Sequence, residues 1–534
     1  MNTRRDFLKT IGLGAASLVF PGCISTLKQA GDGSPAGRPN IILIMADDMG
    51  FSDLGCYGSE IHTPNLDRLA AGGLRFTQFY NAARCCPTRA SLLTGLYPHQ
   101  AGIGGMTDKR GDVNPPGPYQ GYLNDKCVTI AEVLRTAGYR TLMSGKWHVG
   151  ETRPHWPVDR GFDRYYGLIS GAANYFDITR GKNACTLRRF AKDGAPYRPP
   201  RDNFYITDAF TDNAVDFLDQ YRKEQKPFFL YVAYTAPHWP LHALPEDIAR
   251  YKGKYLQGWD ELRKERYKRM VEMGIIDKKW PLTPRDRGAV PWDTVEDKEL
   301  MDLKMAVYAA QIDRMDQGIG RILAKLKETG KEKNTLVLFL SDNGGCHETG
   351  PLGFDSRKNG LPPGGVDSYM SYGQSWANAS NTPFRLFKKY THEGGIATPL
   401  IAYWPAVIKD KGKLTNQLGH IIDIMATCAD VAGARYPGSF NSKKILPPEG
   451  KSLLPVFRGK KRKPHDYLFW EHVRHEAVRH GKWKLVAQKR GNWELYDLQQ
   501  DRSETNNLIE QYPQIAQQLK AKYQQWADRW EVRR

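Results

Sequence analysis

Residues 85–95 read Cys-Cys-Pro-Thr-Arg-Ala-Ser-Leu-Leu-Thr-Gly. Proline loses no hydrogen bond in the first turn of a helix, so Pro87 predicts a helix whose N-terminus lies at or just after Cys85. Free backbone N–H groups and the helix dipole favour negative charge at such an N-terminus, and Arg89 lies within reach of it. The segment therefore reads as an anion site with a thiol at its entrance. Asp47-Asp48 and Asp342-Asn343 offer only oxygen donors, which suit Ca2+ or Mg2+ and not zinc. Either pair alone could be a turn or a helix cap. Two pairs at two strand ends, with Cys85 between them in sequence, favour a metal. Lys146 and His148 in Ser144-Gly-Lys-Trp-His148, His238 in Pro237-His-Trp-Pro240, and Lys388 add cations and proton carriers.

Apolar, β-rich runs at 40–46, 140–145, 228–234, 335–340 and 399–403 must position these residues. Helical patterns at 63–71, 129–137, 210–221 and 301–329 separate them. Continuously apolar strands alternating with helices predict an α/β fold, with a large, mostly parallel sheet sandwiched by helices. Asp47-Asp48, Lys146, His148, His238 and Asp342-Asn343 each follow one of the runs. In open α/β sheets ligands bind at the carboxyl ends of strands, so these chain-distant residues are expected on one edge. Residues 243–297 carry a highly charged helix over about 259–273. Residues 344–384 are rich in Gly, Pro, Ser and Asn and predict a loop walling the site. Short alternating segments from about 467 to 496 predict a smaller C-terminal antiparallel sheet, and 513–530 a terminal helix. The expected division is a catalytic domain over 39–435 and a C-terminal α+β subdomain over 436–534.

The undecapeptide resembles the C-x-P-x-R signature of the formylglycine-dependent type I sulfatases, of the alkaline phosphatase superfamily. The resemblance runs from Asn40 to Leu508, and Thr94-Gly-Leu-Tyr-Pro-His-Gln100 and Glu393-Gly-Gly395 place it nearest the arylsulfatase-like branch. It implies that Cys85 is oxidised to formylglycine (3-oxoalanine) by a formylglycine-generating enzyme. The hydrated aldehyde attacks sulfur with one hydroxyl and later expels sulfate with the other, which a thiol could not do. It implies calcium as the usual metal, held by Asp47, Asp48, Asp342 and Asn343. It also implies that Arg89, Lys146 and Lys388 orient sulfate, that His238 with Lys388 protonates the leaving group, and that His148 assists the release of sulfate. A phosphomonoesterase or phosphodiesterase of the same superfamily is the first alternative; the set is short of His ligands for a second metal. A non-catalytic binder of sulfated glycans is the second.

Residues 1–23 read as an export signal. Thr3-Arg-Arg-Asp-Phe-Leu-Lys9 resembles a twin-arginine leader, and Phe20-Pro-Gly-Cys23 a lipobox that would lipidate Cys23. Residues 24–38 read as a flexible tether. The expectation is an exported protein of a bacterium, periplasmic or anchored as a lipoprotein, delivered by the twin-arginine machinery. No apolar run approaches the length of a transmembrane helix, so membrane contact is expected only through Cys23. Net charge is +19; residues 1–22 hold three basic and one acidic residue, so the remainder keeps +17. The surplus favours an anionic partner such as a sulfate ester, and no nucleic-acid-binding motif accompanies it. Eight cysteines without C-x-x-C spacing exclude a zinc ribbon or a disulfide-built scaffold, leaving one or two bridges open. Trp376 and His472 are the specificity residues this reading would pick.

Overall fold

Ile41 to Ala46 are apolar without interruption and fully buried. A strand apolar on both faces belongs inside a sheet covered on both sides, and the computed structural model, which describes residues 37–107, 111–181 and 188–532, puts it there. The leader at 1–23, Cys23, Cys185 and nearly all of the tether lie outside the described residues. The main sheet contains β1 (Asn40–Ala46), β2 (Leu74–Tyr80), β3 (Arg140–Gly145), β4 (Arg164–Leu168), β5 (Phe190–Lys192), β6 (Ala195–Pro196), β7 (Phe228–Ala233), β8 (Thr335–Ser341), β9 (Ala397–Tyr403), β10 (Lys413–Thr415) and β11 (Gly419–His420). Their order is β10-β2-β9-β8-β1-β7-β3-β4-β5-β6, with β11 also on β2.

The central strands β8, β1, β7, β3 and β4 are all parallel, with Ile41 paired to Phe229 on one side and Leu336 on the other. The flanks are mixed. β9 runs antiparallel to both β8 and β2, and β5 antiparallel to β4 and β6. Because β9 reverses direction twice over, β2 again runs with β1. One edge of the sheet thus collects the carboxyl ends of β1, β2, β3, β7 and β8 and the amino end of β9. Helices Pro64–Gly72, Ile206–Gln220 and Lys298–Glu328 pack in one group, and Cys85–Thr94, Ile130–Thr136 and Asp423–Ala432 in another.

The C-terminal sheet is antiparallel in simple order: Leu468–His472, His475–His480, Trp483–Ala487 and Trp493–Asp497. Helix Pro513–Arg529 packs on it. Among the described residues no helix is long and apolar enough to cross a membrane, and the six described cysteines are free.

Three expectations change. β2 is a strand that the apolar runs did not reveal, because Arg75, Thr77 and Gln78 interrupt its pattern. The 344–384 segment is not all loop: it contains helix Gly373–Ser380, which buries Trp376 against Trp259 and Trp292. Trp376 is therefore a core residue whose indole donates to Met301 O, not a substrate contact. The charged helix, expected over about 259–273, spans Gly258–Glu272, and its Arg266 is fully buried on Asp53 and Glu60.

Candidate active site

Cys85 is the first residue of helix Cys85–Thr94, as Pro87 predicts, and the preceding Arg84 is extended (φ −151°). All ten helix residues are buried, the Arg89 guanidinium included. The helix ends at Gly95 in the left-handed region (φ 71°), where a Cβ would come within 2.8 Å of Met425. The thiol thus sits at the helix N-terminus, on the edge of the sheet where β2 ends.

The neighbouring strand ends bring charges to the same edge. Lys146 Nζ, just past β3, donates to Asp47 Oδ2 at 2.6 Å. Arg89 Nη2 donates to Asp342 Oδ2 at 2.8 Å and lies 3.8 Å from Asp47 Oδ2. Lys388 Nζ donates to Asp48 Oδ2 at 2.7 Å and stands 3.3 Å from His238 Nε2. The Asp48 amide donates to Asp342 Oδ1 at 3.2 Å, and Asn343 Nδ2 to Asp48 Oδ1 at 2.7 Å. Lys388 precedes the antiparallel β9, so it reaches the edge from a strand's beginning, which the rule of carboxyl ends did not anticipate.

Asp47 Oδ1 and Asn343 Oδ1 are buried and have no hydrogen-bond partner among the described residues. Burial raises both Asp47 and Asp342, and Asp342 is pushed further by the Asp47 charge. Asp48 goes the other way. Burial alone would raise it, but His238 and Lys388 outweigh that and lower it. Open oxygen lone pairs among crowded, buried carboxylates fit a hard divalent cation.

Cys85 belongs to a second cluster. Its Sγ lies with Cys86 Sγ and a ring nitrogen of His148 within a 4.8 Å group, and the Cys86 Sγ–His148 Nε2 contact is 3.2 Å. A hydrogen bond from Cys86, with Lys146 and His148 nearby, holds Cys85 well below the ordinary thiol range. The surroundings therefore favour an anion at position 85, whether thiolate sulfur or an oxygen in its place. Burial pulls His148 down to about 3 and His238 to about 4, so both imidazoles are neutral. His238 Nδ1 lies 2.6 Å from the carbonyl of Trp239 and can only donate to it, which leaves the Nε2 lone pair facing Lys388. Asp48 (φ 69°) and His148 (φ 59°) hold left-handed backbone, strain of a kind that concentrates at functional sites.

All ten residues singled out in the sequence are buried at this edge. Others were not anticipated. Arg84 pairs with Glu348 at 2.7 Å, and Trp239 Nε1 stands 3.4 Å from the other Glu348 oxygen. Phe354 and Tyr369 pack on the Trp239 ring, so the 344–384 segment does border His238. Arg84 had a signal, its adjacency to Cys85; Glu348 had none. His472 is buried and held at about 4 by burial, with Arg84 and Cys85 among its electrostatic neighbours.

Comparison with known proteins gives consistent matches. The family model described as Sulfatase matches residues 39–434, and the one described as N-sulphoglucosamine sulphohydrolase, C-terminal, matches 384–529. An uncharacterized sulfatase of Schizosaccharomyces pombe is 37% identical over 521 residues, covering 90% of this chain and 92% of its own. The arylsulfatase of Klebsiella aerogenes is 37% identical over 439 residues, covering 80% and 93%. The solved structure of Ps i-CgsB in complex with k-i-k-neocarrahexaose superposes with a TM-score of 0.69 at 27% identity, covering 92% and 93%.

Proposed function

The chain belongs to the sulfatase family and is a sulfuric ester hydrolase, and we propose that it removes sulfate from sulfated glycans or glycosides at the Cys85 edge. The observation that carries the residue assignment is the convergence of Cys85, Arg89, Lys146, His148, His238 and Lys388 on Asp47, Asp48, Asp342 and Asn343. The glycan reading draws on relatives named as N-acetylgalactosamine-6-sulfatases, 30% identical in Rattus norvegicus, and on the basic surplus of this chain.

Conversion of Cys85 to formylglycine would supply an aldehyde hydrate as the source of the attacking oxygen. Asp47, Asp48, Asp342 and Asn343 would hold Ca2+ or Mg2+, whose charge would offset that of the sulfate oxygens. Arg89, bound to Asp342, keeps the carboxylates in place and contributes positive charge. Lys146 and Lys388 present ammonium groups to orient sulfate. The alcohol leaving the ester needs a proton, which the Lys388 ammonium provides through His238 Nε2. His148, kept neutral by burial, can take a proton from the hydroxyl at position 85 as sulfate departs. Export by the twin-arginine route after modification in the cytoplasm, with lipidation at Cys23, completes the reading.

The test uses protein co-produced with a formylglycine-generating enzyme, assayed on 4-nitrophenyl sulfate and 4-nitrophenyl phosphate. The sulfate is expected to turn over faster; a preference for phosphate would overturn the reading. Sulfate release from a panel of defined sulfated oligosaccharides then identifies the glycan.

A further inference from the structure

Two turns of the C-terminal sheet carry basic residues that nothing above uses. His472 pairs with His475, so Val473-Arg474 form a two-residue hairpin turn, and both are left-handed (φ 45° and 71°). Such turns ordinarily take Asn-Gly, and a β-branched residue at positive φ is an outlier. Lys489 and Arg490, between the next pair of strands, are left-handed as well (φ 45° and 60°). The Arg490 amide donates to Arg474 O at 2.9 Å, which ties the two turns together. All four side chains are exposed.

The tied turns lie on the Cys85 side of the sheet. His475, next to Arg474, packs its ring 4.4 Å from that of Tyr390. The preceding Lys389 donates its amide to Ala83 O at 2.7 Å, and Ala83 leads into Arg84 and Cys85. Lys389 feels Arg84 and Lys489 as nearby cations and Glu348 as the nearby anion. Among the described residues Lys389, Arg474, Lys489 and Arg490 form no ion pair, and Arg84 Nε is buried without a partner. Strained backbone persists where surroundings hold it for a purpose, and here it presents positive charge beside the reacting residue.

We infer that Arg84, Lys389, Arg474, Lys489 and Arg490 form an accessory anion subsite, which receives a second sulfate or carboxylate on the glycan whose ester is cleaved at Cys85. The inference rests on the sulfate ester reading and narrows the substrate to a chain carrying at least two anionic groups. Val473, 45% exposed at the tip, adds an apolar surface for a sugar ring between them.

The experiment measures binding of a size-defined, fluorescently labelled dextran sulfate oligosaccharide to Cys85→Ala protein. Adding Lys489→Glu with Arg490→Glu is expected to weaken binding by about tenfold or more, and the Gln versions by about threefold. Lys327→Glu with Lys333→Glu, exposed near the opposite end of β8, serves as the control for overall charge and is expected to change the affinity by less than about threefold. Equal weakening by both pairs of charge reversals, or none at Lys489 and Arg490, would overturn the subsite. Turnover of 4-nitrophenyl sulfate by the unsubstituted, matured protein is measured in parallel. Its absence overturns the parent reading, whereas turnover with unchanged oligosaccharide affinity overturns the subsite alone.

Discussion

Two buried ionic networks stand a few residues apart in this fold, and they differ in what they leave unpaired. At Glu393, Oε1 accepts from Lys484 at 2.9 Å, and Oε2 accepts from Tyr80 and from Arg502, each at 2.8 Å. Both oxygens are engaged, and although burial alone would raise the carboxyl, Lys484 and Arg502 pull it down to about 2. Lys484 also pairs with Glu504 at 2.7 Å. At Asp47 the second oxygen has no partner, and burial raises the carboxyl. The Glu393 network pins the C-terminal subdomain to the sheet and has a partner for every carboxylate oxygen of Glu393. The Asp47 network holds as many cations yet keeps donor atoms open. Around Glu393 the open atoms are Arg502 Nη2 and Glu504 Oε1, the latter holding only its Lys484 ion pair, whereas at Asp47 and Asn343 oxygen lone pairs stay open side by side with a second carboxylate, which suits a cationic ligand.

The contrast can be broken at its strongest point first. Cys85→Ala is expected to lower turnover of 4-nitrophenyl sulfate by about 10^4-fold or more while leaving the unfolding midpoint in place, since a small side chain is removed. Measurable turnover near wild type would remove Cys85 from the chemistry. Lys146→Ala should cost about 10^2–10^3-fold in kcat, as a lost donor to developing charge does; a change confined to KM would assign Lys146 to binding alone. Glu393→Gln tests the other network. Chemical denaturation should show a loss of about 3–5 kcal/mol, with kcat of the folded enzyme nearly unchanged. A large fall in kcat would mean that Glu393 serves the reaction.

That second network also has a pH signature. Glu393 is lowered in the fold from an ordinary 4.5 to about 2. Its contribution is therefore fully present above about pH 4.5 and lost as pH falls toward 2. The stability gap between wild type and Glu393→Gln should shrink across that window, and a gap that widens would contradict the assignment. The smallest effect is expected at the strained turn. Val473→Gly should stabilise by about 1 kcal/mol, read as a raised denaturation midpoint, because glycine accepts a left-handed backbone without a Cβ clash.

Much of the fold was legible in the sequence where one physical rule dominated. The unbroken apolar run at 40–46 suits a strand buried on both faces and Pro87 suits the first turn of a helix, so the parallel core and the position of Cys85 could be expected. β2 was hidden because Arg75 and Gln78 break the apolar pattern, though Arg75 reaches out to Cys56 O and Gly412 O. Strand direction is set by pairing between distant segments, and no local pattern announced that β9 reverses. Lys388 was found through its resemblance to a family motif, while the reason it reaches the site lies in that reversal. Trp376 misled because it stands in a segment whose composition predicts a loop walling the site, whereas the packing of three tryptophans edge to face in the core is invisible until helices 258–272 and 373–380 meet. Glu348 and the tied turns at 473–474 and 489–490 depend on long-range packing and left no local trace.

One measurement bears most directly on the central assignment. Preparations with different degrees of Cys85 conversion, obtained by varying the supply of modifying enzyme, are digested, and the peptide spanning residues 85–89 is quantified by mass spectrometry as aldehyde or thiol. Turnover of 4-nitrophenyl sulfate should rise in proportion to the aldehyde fraction and extrapolate to zero for the pure thiol. Full turnover from protein whose Cys85 is entirely thiol would contradict the account.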